Sequence, residues 1–173
     1  MSLKDFIITK NIKRIRRDVQ FSNFETAKTI SVLYRIRNKS DYDKVKQFSS
    51  ELSQKGIDVS KLAYVFKPDE IGNYYFGQDN NNFFSDKHIT KFGKINEPVI
   101  TDFLNKETDI LINLCTEKLF YTEYLFALSK AKFKVSGIID CKYSDLNINL
   151  NNNQNLNFLI EQITYYLNVI KQA

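Results

Sequence analysis

The spacing of apolar positions changes along the first 60 residues, and each change marks an element. Leu3, Ile7, Ile8, Ile12, Ile15 and Val19 recur at intervals near 3.6, with basic residues between them. That pattern predicts an amphipathic helix over residues 3–18, with Ser2 as its N-cap. Residues 20–27 follow as a connector bearing Phe21 and Phe24. The run Thr-Ile-Ser-Val-Leu-Tyr-Arg-Ile at 29–36 is dense in β-branched and aromatic side chains, which suit a pleated surface, and predicts the first strand. Ser40 or Asp41 is expected to cap a helix running to Lys55, with Tyr42, Val45, Phe48 and Leu52 on one face and Gly56 ending it. Residues 62–66 form the second predicted strand, which Pro68 stops.

Residues 67–96 show no period. They hold Gly72, Gly77, a polar run at 78–82 and six aromatic side chains, and a short helix is expected near 85–91. Pro98 in a first turn predicts a helix over 97–105. Strands are expected at 109–114, 133–139 and 146–150, around a helix at 119–131 that is apolar almost all round. After an Asn-rich linker at 151–155, Leu156, Leu159, Ile160, Ile163, Leu167 and Ile170 mark the buried face of a last helix. Strands alternating with helices imply parallel pairing with crossover helices on both faces. The expected fold is α/β: a three-layer, doubly wound, mostly parallel five-stranded sheet in the flavodoxin-like order 2-1-3-4-5, with an extra basic N-terminal helix. Residues 1–26 are assigned to the basic helix and connector, and 27–173 to a single α/β domain.

Composition narrows the classes. A chain of 173 residues can bury about two-thirds of its unfolded surface and needs no metal or disulfide to fold. Cys115 and Cys141 stand in no metal-ligand spacing and are expected to be reduced, structural thiols. No run of apolar residues is long enough to span a bilayer, and residues 1–20 do not resemble a secretory leader, so a cytoplasmic location is expected. With 5 Gly in the chain and none in the loop after the first strand, neither a dinucleotide fingerprint nor a P-loop is present. No cofactor and no metal are expected.

The charge is uneven. Residues 1–20 carry Lys4, Lys10, Lys13, Arg14, Arg16 and Arg17 against Asp5 and Asp18; residues 21–40 add Lys28, Arg35, Arg37 and Lys39 against Glu25. Those 40 residues therefore exceed the whole chain's net charge of +5, which leaves the rest slightly acidic.

Ala27-Lys28-Thr29-Ile30, Phe83-Phe84-Ser85, Phe92-Gly93-Lys94, the strand at 109–114 and the run at 127–135 together resemble an uncharacterised protein family of Bacteroidota, across nearly the whole chain. That resemblance implies a Rossmann- or flavodoxin-like domain of unknown function and supplies no catalytic residue. The sequence departs from the family pattern where Ser136 precedes Gly137. A stretch of about 30 residues around the strand at 109–114 is also similar to one βαβ unit of heptose-type glycosyltransferases, which implies no more than a Rossmann-like unit.

Two sites are nominated. Lys10, Lys13, Arg14, Arg16 and Arg17 would neutralise phosphates of RNA or the ribosome, with a bilayer surface or a protein partner as alternatives and a merely solvated face as the plain one. Arg35, Arg37 and Asn38, with Lys39 and Ser40, would face Cys115, Thr116 and Glu117 across the crevice where the strand order reverses, a seat for a phosphate-bearing ligand of a small enzyme or binding domain. His88, the single histidine, is expected at a helix end, and no carboxylate pair has the spacing of a general acid and base. The leading expectation is a non-catalytic module that binds RNA or the ribosome through its N-terminal segment; a crevice-based enzyme and a homo-oligomer joined through the apolar side of the first helix are the alternatives.

Overall fold

A computed structural model describes residues 3–13, 15–66, 81–151 and 153–171. Six strands form one parallel sheet: β1 (Thr29–Ile36), β2 (Asp58–Val65), β3 (Asn81–Phe84), β4 (Ile110–Asn113), β5 (Phe133–Ser136) and β6 (Leu146–Asn147), in the order β3-β2-β1-β4-β5-β6. The helices are α1 (Leu3–Ile12), α2 (Lys39–Gln54), α3 (Pro98–Asn105), α4 (Phe120–Leu128) and α5 (Leu156–Val169). The α/β class is as expected. Strand count and order are not: among the described residues there are six strands rather than five, and the chain order 3-2-1-4-5-6 is that of a Rossmann sheet. The difference is β3, which lies in the stretch without a period and pairs with Lys61–Tyr64 of β2 at the sheet edge. The helix expected near 85–91 is a single 3-10 turn, Asp86–His88.

Alternation along the strands builds two cores. Ile30, Val32, Tyr34 and Ile36 of β1 face α2 and α5, where they meet Val45, Phe48, Leu159 and Ile163. Leu33, Leu62 and Leu111 face the opposite layer, packed with Ile100 and Phe103 of α3, Leu125 and Phe126 of α4, and Ile7 and Ile8 of α1. α2 starts two to three residues earlier than expected because Asn38, not Ser40 or Asp41, is its cap: the Asn38 side chain accepts the Asp41 N–H at 3.0 Å. Asn155 caps α5 in the same way, accepting from Asn157 at 2.8 Å.

α1 ends at Ile12, six residues before the expected end, and residues 15–23 have no regular structure. Helical spacing continues to Val19, but tertiary contacts override it. Arg17 and Gln20 are drawn to the N-terminal edge of β5, where the Gln20 N–H donates to the Lys132 carbonyl at 3.1 Å. The segment thus passes from one face of the sheet to the other: Ile7 and Ile8 lie in one core, while Phe21 makes an edge contact with Phe133 (5.2 Å between centroids) and Phe24 packs on Phe48 in the other. Val19, left outside, is exposed. On the apolar side of α1, Ile7 and Ile8 pack against the chain's own α4, while Leu3 and Phe6 stay exposed. Ser2, and the aromatic residues expected at 74–76, lie outside the described residues.

Candidate anion-binding site

The sheet edge over which the N-terminal segment crosses holds a charged network. The Arg17 guanidinium donates to both carboxylate oxygens of Asp145 and to the Ala131 and Lys132 carbonyls. Asp145 also accepts the Lys134 N–H at 2.7 Å. Next along the edge, Asp109 accepts the N–H groups of Lys28 (2.9 Å) and Thr29 (3.0 Å), the Thr29 hydroxyl (3.1 Å) and the Lys132 ammonium (2.9 Å). Burial alone would raise the Asp109 carboxyl, but these donors outweigh it and hold the group at about 2.

Lys134 was not foreseen as special, because a lysine in Phe-Lys-Val-Ser reads as a strand residue facing water. It is buried, and its ammonium donates to the Phe126 (2.8 Å) and Ala127 (3.1 Å) carbonyls in the last turn of α4, the end of a helix that favours a cation. Burial pushes the Lys134 ammonium down to about 7; Arg17 adds to the effect, and Asp145 partly opposes it.

The ten cations of the first 40 residues therefore divide. Arg17 is held by Asp145 and by two backbone carbonyls. Arg35 is paired with Glu117, and Arg37 grips Asp41 through Nε at 2.8 Å and Nη2 at 3.2 Å, which raises the guanidinium further above its ordinary value. Lys39 meets Asp43 at 2.7 Å. Lys4 lies 5.6 Å from the Phe120 ring centroid. Lys10 and Lys13, one turn apart at the end of α1, are exposed, as is Arg16, which points outward where its neighbour Arg17 points in. Arg14 lies outside the described residues. Asp18, the nearest acid in sequence, accepts from the Gln20 amide at 2.5 Å.

The crevice where the strand order reverses brings Arg35, Arg37, Cys115, Thr116 and Glu117 together, as expected, but leaves little room between them. With Leu156 they enclose about 10 Å³, no more than one water needs. At the N-terminus of α2, Asn38 accepts the Asp41 N–H and Asp41 accepts the Arg37 N–H just before the helix, so the chain's own side chains take two donors that a phosphate would seek. Cys115 is fully buried, and that burial raises its thiol to about 12, far from a reactive thiolate. Beside the crevice, over the C-terminal ends of β4 and β5, Thr116, Lys118, Ile139 and Gln154 border an open hollow of about 200 Å³, smaller than ordinary ligand pockets. His88 closes its 3-10 turn, Nδ1 accepting the Ser85 N–H at 3.3 Å. Among the described residues no three His, Cys, Asp or Glu side chains converge as metal ligands, and no helix is long and apolar enough to cross a membrane.

A family model covers residues 3–170, almost the entire chain, and describes a family of unknown function, DUF6913. The chain belongs to DUF6913. No curated protein and no solved structure matches it. Membership of DUF6913 assigns no residue a role, so geometry and charge carry the functional reading.

Proposed function

We propose that this protein is a non-catalytic α/β module that binds a polyanion, RNA in particular, through Lys10, Lys13 and Arg16. The observation that carries this reading is the division of the cations. Those at the crevice are neutralised by Glu117 and Asp41 in a space of about 10 Å³, whereas those at the end of α1 stand in solvent. A solvated cation without a neighbouring carboxylate keeps its full attraction for phosphate, and several on one short segment add through counterion release. The same division weighs against a small-molecule site at the crevice, since an ion pair already occupies the volume a phosphate would need.

The test is a triple substitution, Lys10→Gln, Lys13→Gln and Arg16→Gln, in the full chain. Each phosphate contact to a single strand contributes about 0.7 to the slope of log affinity against log salt. The variant is expected to bind RNA more weakly, with a slope shallower by about 2 and a melting temperature unchanged. Retention on RNA equal to that of the parent at moderate salt refutes the reading.

A further inference from the structure

Phe92 is 82% exposed, the highest value among the described large apolar side chains. It stands at the tip of a tight turn closed by an Ile89–Ile95 bridge, with the Thr90 N–H donating to the Lys94 carbonyl at 2.9 Å and the Gly93 N–H to the Thr90 carbonyl at 2.8 Å. Gly93 has φ +82°, a conformation open to glycine at little cost. The turn is fixed to the body. The Tyr124 hydroxyl donates to the Gly93 carbonyl at 2.7 Å, and a Cβ at Gly93 would lie 2.6 Å from the Tyr124 oxygen and 3.0 Å from Ile7 Cγ2. The ring is therefore presented by a rigid tip that abuts α1.

Charge surrounds it. Lys91 and Lys94, on either side of Phe92 in the turn, are exposed. One turn before and after Ile7 on α1 stand Leu3 and Lys10, and Leu3, Phe6, Lys10 and Lys13 share the outer stripe of that helix. The α1 carboxylate, Asp5, lies to the other side, near Glu123 and Tyr143. A fixed aromatic ring among lysines matches the chemistry of an unpaired nucleotide, whose base stacks on the ring while its phosphates meet the ammonium groups. A duplex hides its bases and gains nothing from such a ring. A bilayer would take up a broad apolar helix face, whereas α1 buries Ile7 and Ile8 and its outer stripe joins Leu3 and Phe6 to Lys10 and Lys13.

We infer that Phe92 is a stacking platform for an unpaired base, so that the polyanion bound along α1 is single-stranded nucleic acid; this rests on the polyanion reading above. Fluorescence anisotropy of the full chain with labelled oligouridine and with an RNA duplex, at two salt concentrations, tests it, beside co-sedimentation with phosphatidylserine vesicles. Phe92→Ala is expected to weaken oligouridine binding about tenfold with the salt slope unchanged, Phe92→Tyr to restore it, and duplex affinity to stay the same in both. If Phe92→Ala binds oligouridine like the parent while the triple Gln variant loses affinity, stacking is overturned and the polyanion reading stands. If the parent binds neither RNA at low salt, both fall. Vesicle binding that Phe92→Ala abolishes, without RNA binding, identifies a bilayer as the occupant and likewise overturns the inference. The exposed ring makes no core contact, so equal melting temperatures will show that both Phe92 variants are folded.

Discussion

Substituting Arg17 separates the structural cation from the proposed binding cations. In Arg17→Gln the Asp145 carboxylate loses its bidentate partner, and the Ala131 and Lys132 carbonyls lose a donor. The two charged side chains are 17% and 19% exposed, so solvent screens the pair less than an open surface bridge, and its loss costs about 1 kcal/mol. The part-buried Ala131 carbonyl left without a donor, and the Lys132 carbonyl left with the Gln20 N–H alone, together add about 1.5 kcal/mol. Relief of Lys134, whose ammonium Arg17 helps to push down, returns a fraction. The balance is a loss of about 2 kcal/mol, or a melting temperature lower by about 4–8 °C for a chain of this size. Differential scanning calorimetry and urea unfolding read the stability; RNA retention reads binding. Arg17→Gln is expected to shift the first and spare the second at temperatures where the protein is folded, the reverse of the triple Gln variant. A stable Arg17→Gln protein with weakened RNA binding would refute the division of cations on which the functional reading rests.

Two further outcomes follow from the same edge of the sheet. Asp109→Asn is expected to cost about 1.5 kcal/mol at neutral pH, a figure below the full equivalent of its lowered pKa because part of the carboxylate faces water. A depressed carboxyl stabilises above its unfolded value of 3.8 and loses that stability as pH falls toward about 2, so urea midpoints of parent and variant should converge in acid; a constant gap would count against the charge-based account. Lys134 gives the same sign at higher pH for a different reason, since burial disfavours its charged form. Its folded value of about 7 lies below the unfolded 10.5, so the folded state releases a proton first and stability rises as pH climbs through that interval. Lys134→Met should flatten the rise in urea midpoint between pH 6 and pH 9, and a rise that persists unchanged in the variant would exclude Lys134 as its source.

What the sequence disclosed followed the reach of each physical signal. β1, α2 and α5 were legible because their burial repeats with a local period and their caps lie within three residues. β3 was not: Asn81 and Asn82 have poor strand propensity, and the segment is extended because β2 offers it an edge. The early end of α1 was hidden for a related reason, since its spacing runs on while Arg17 answers to Asp145, 128 positions away. The same distance blurred the candidate site. Arg37–Asp41 is an i,i+4 pair that can be read along the chain, but Arg35–Glu117 spans 82 positions, and a tally of cations could not foresee which would be neutralised. Phe92-Gly93-Lys94 stood out as a motif, yet an aromatic residue gives no sign in sequence that it will face water.

The seating of α1 also bears on the order in which the chain acquires structure. Its apolar side rests on α4, and Arg17 docks on carbonyls 114 positions downstream. During synthesis at about 5–20 residues per second, Ile7 and Ile8 therefore precede their resting place by on the order of 10 s. Through that interval a short basic helix with uncovered isoleucines is tethered beside the ribosome, while β1 and β2 already have each other to pair with. The N-terminal segment is made early and settles late. Slower elongation across residues 40–120 would lengthen its exposure, and a chaperone that recognises basic, apolar segments would meet it there before the rest of the sheet exists.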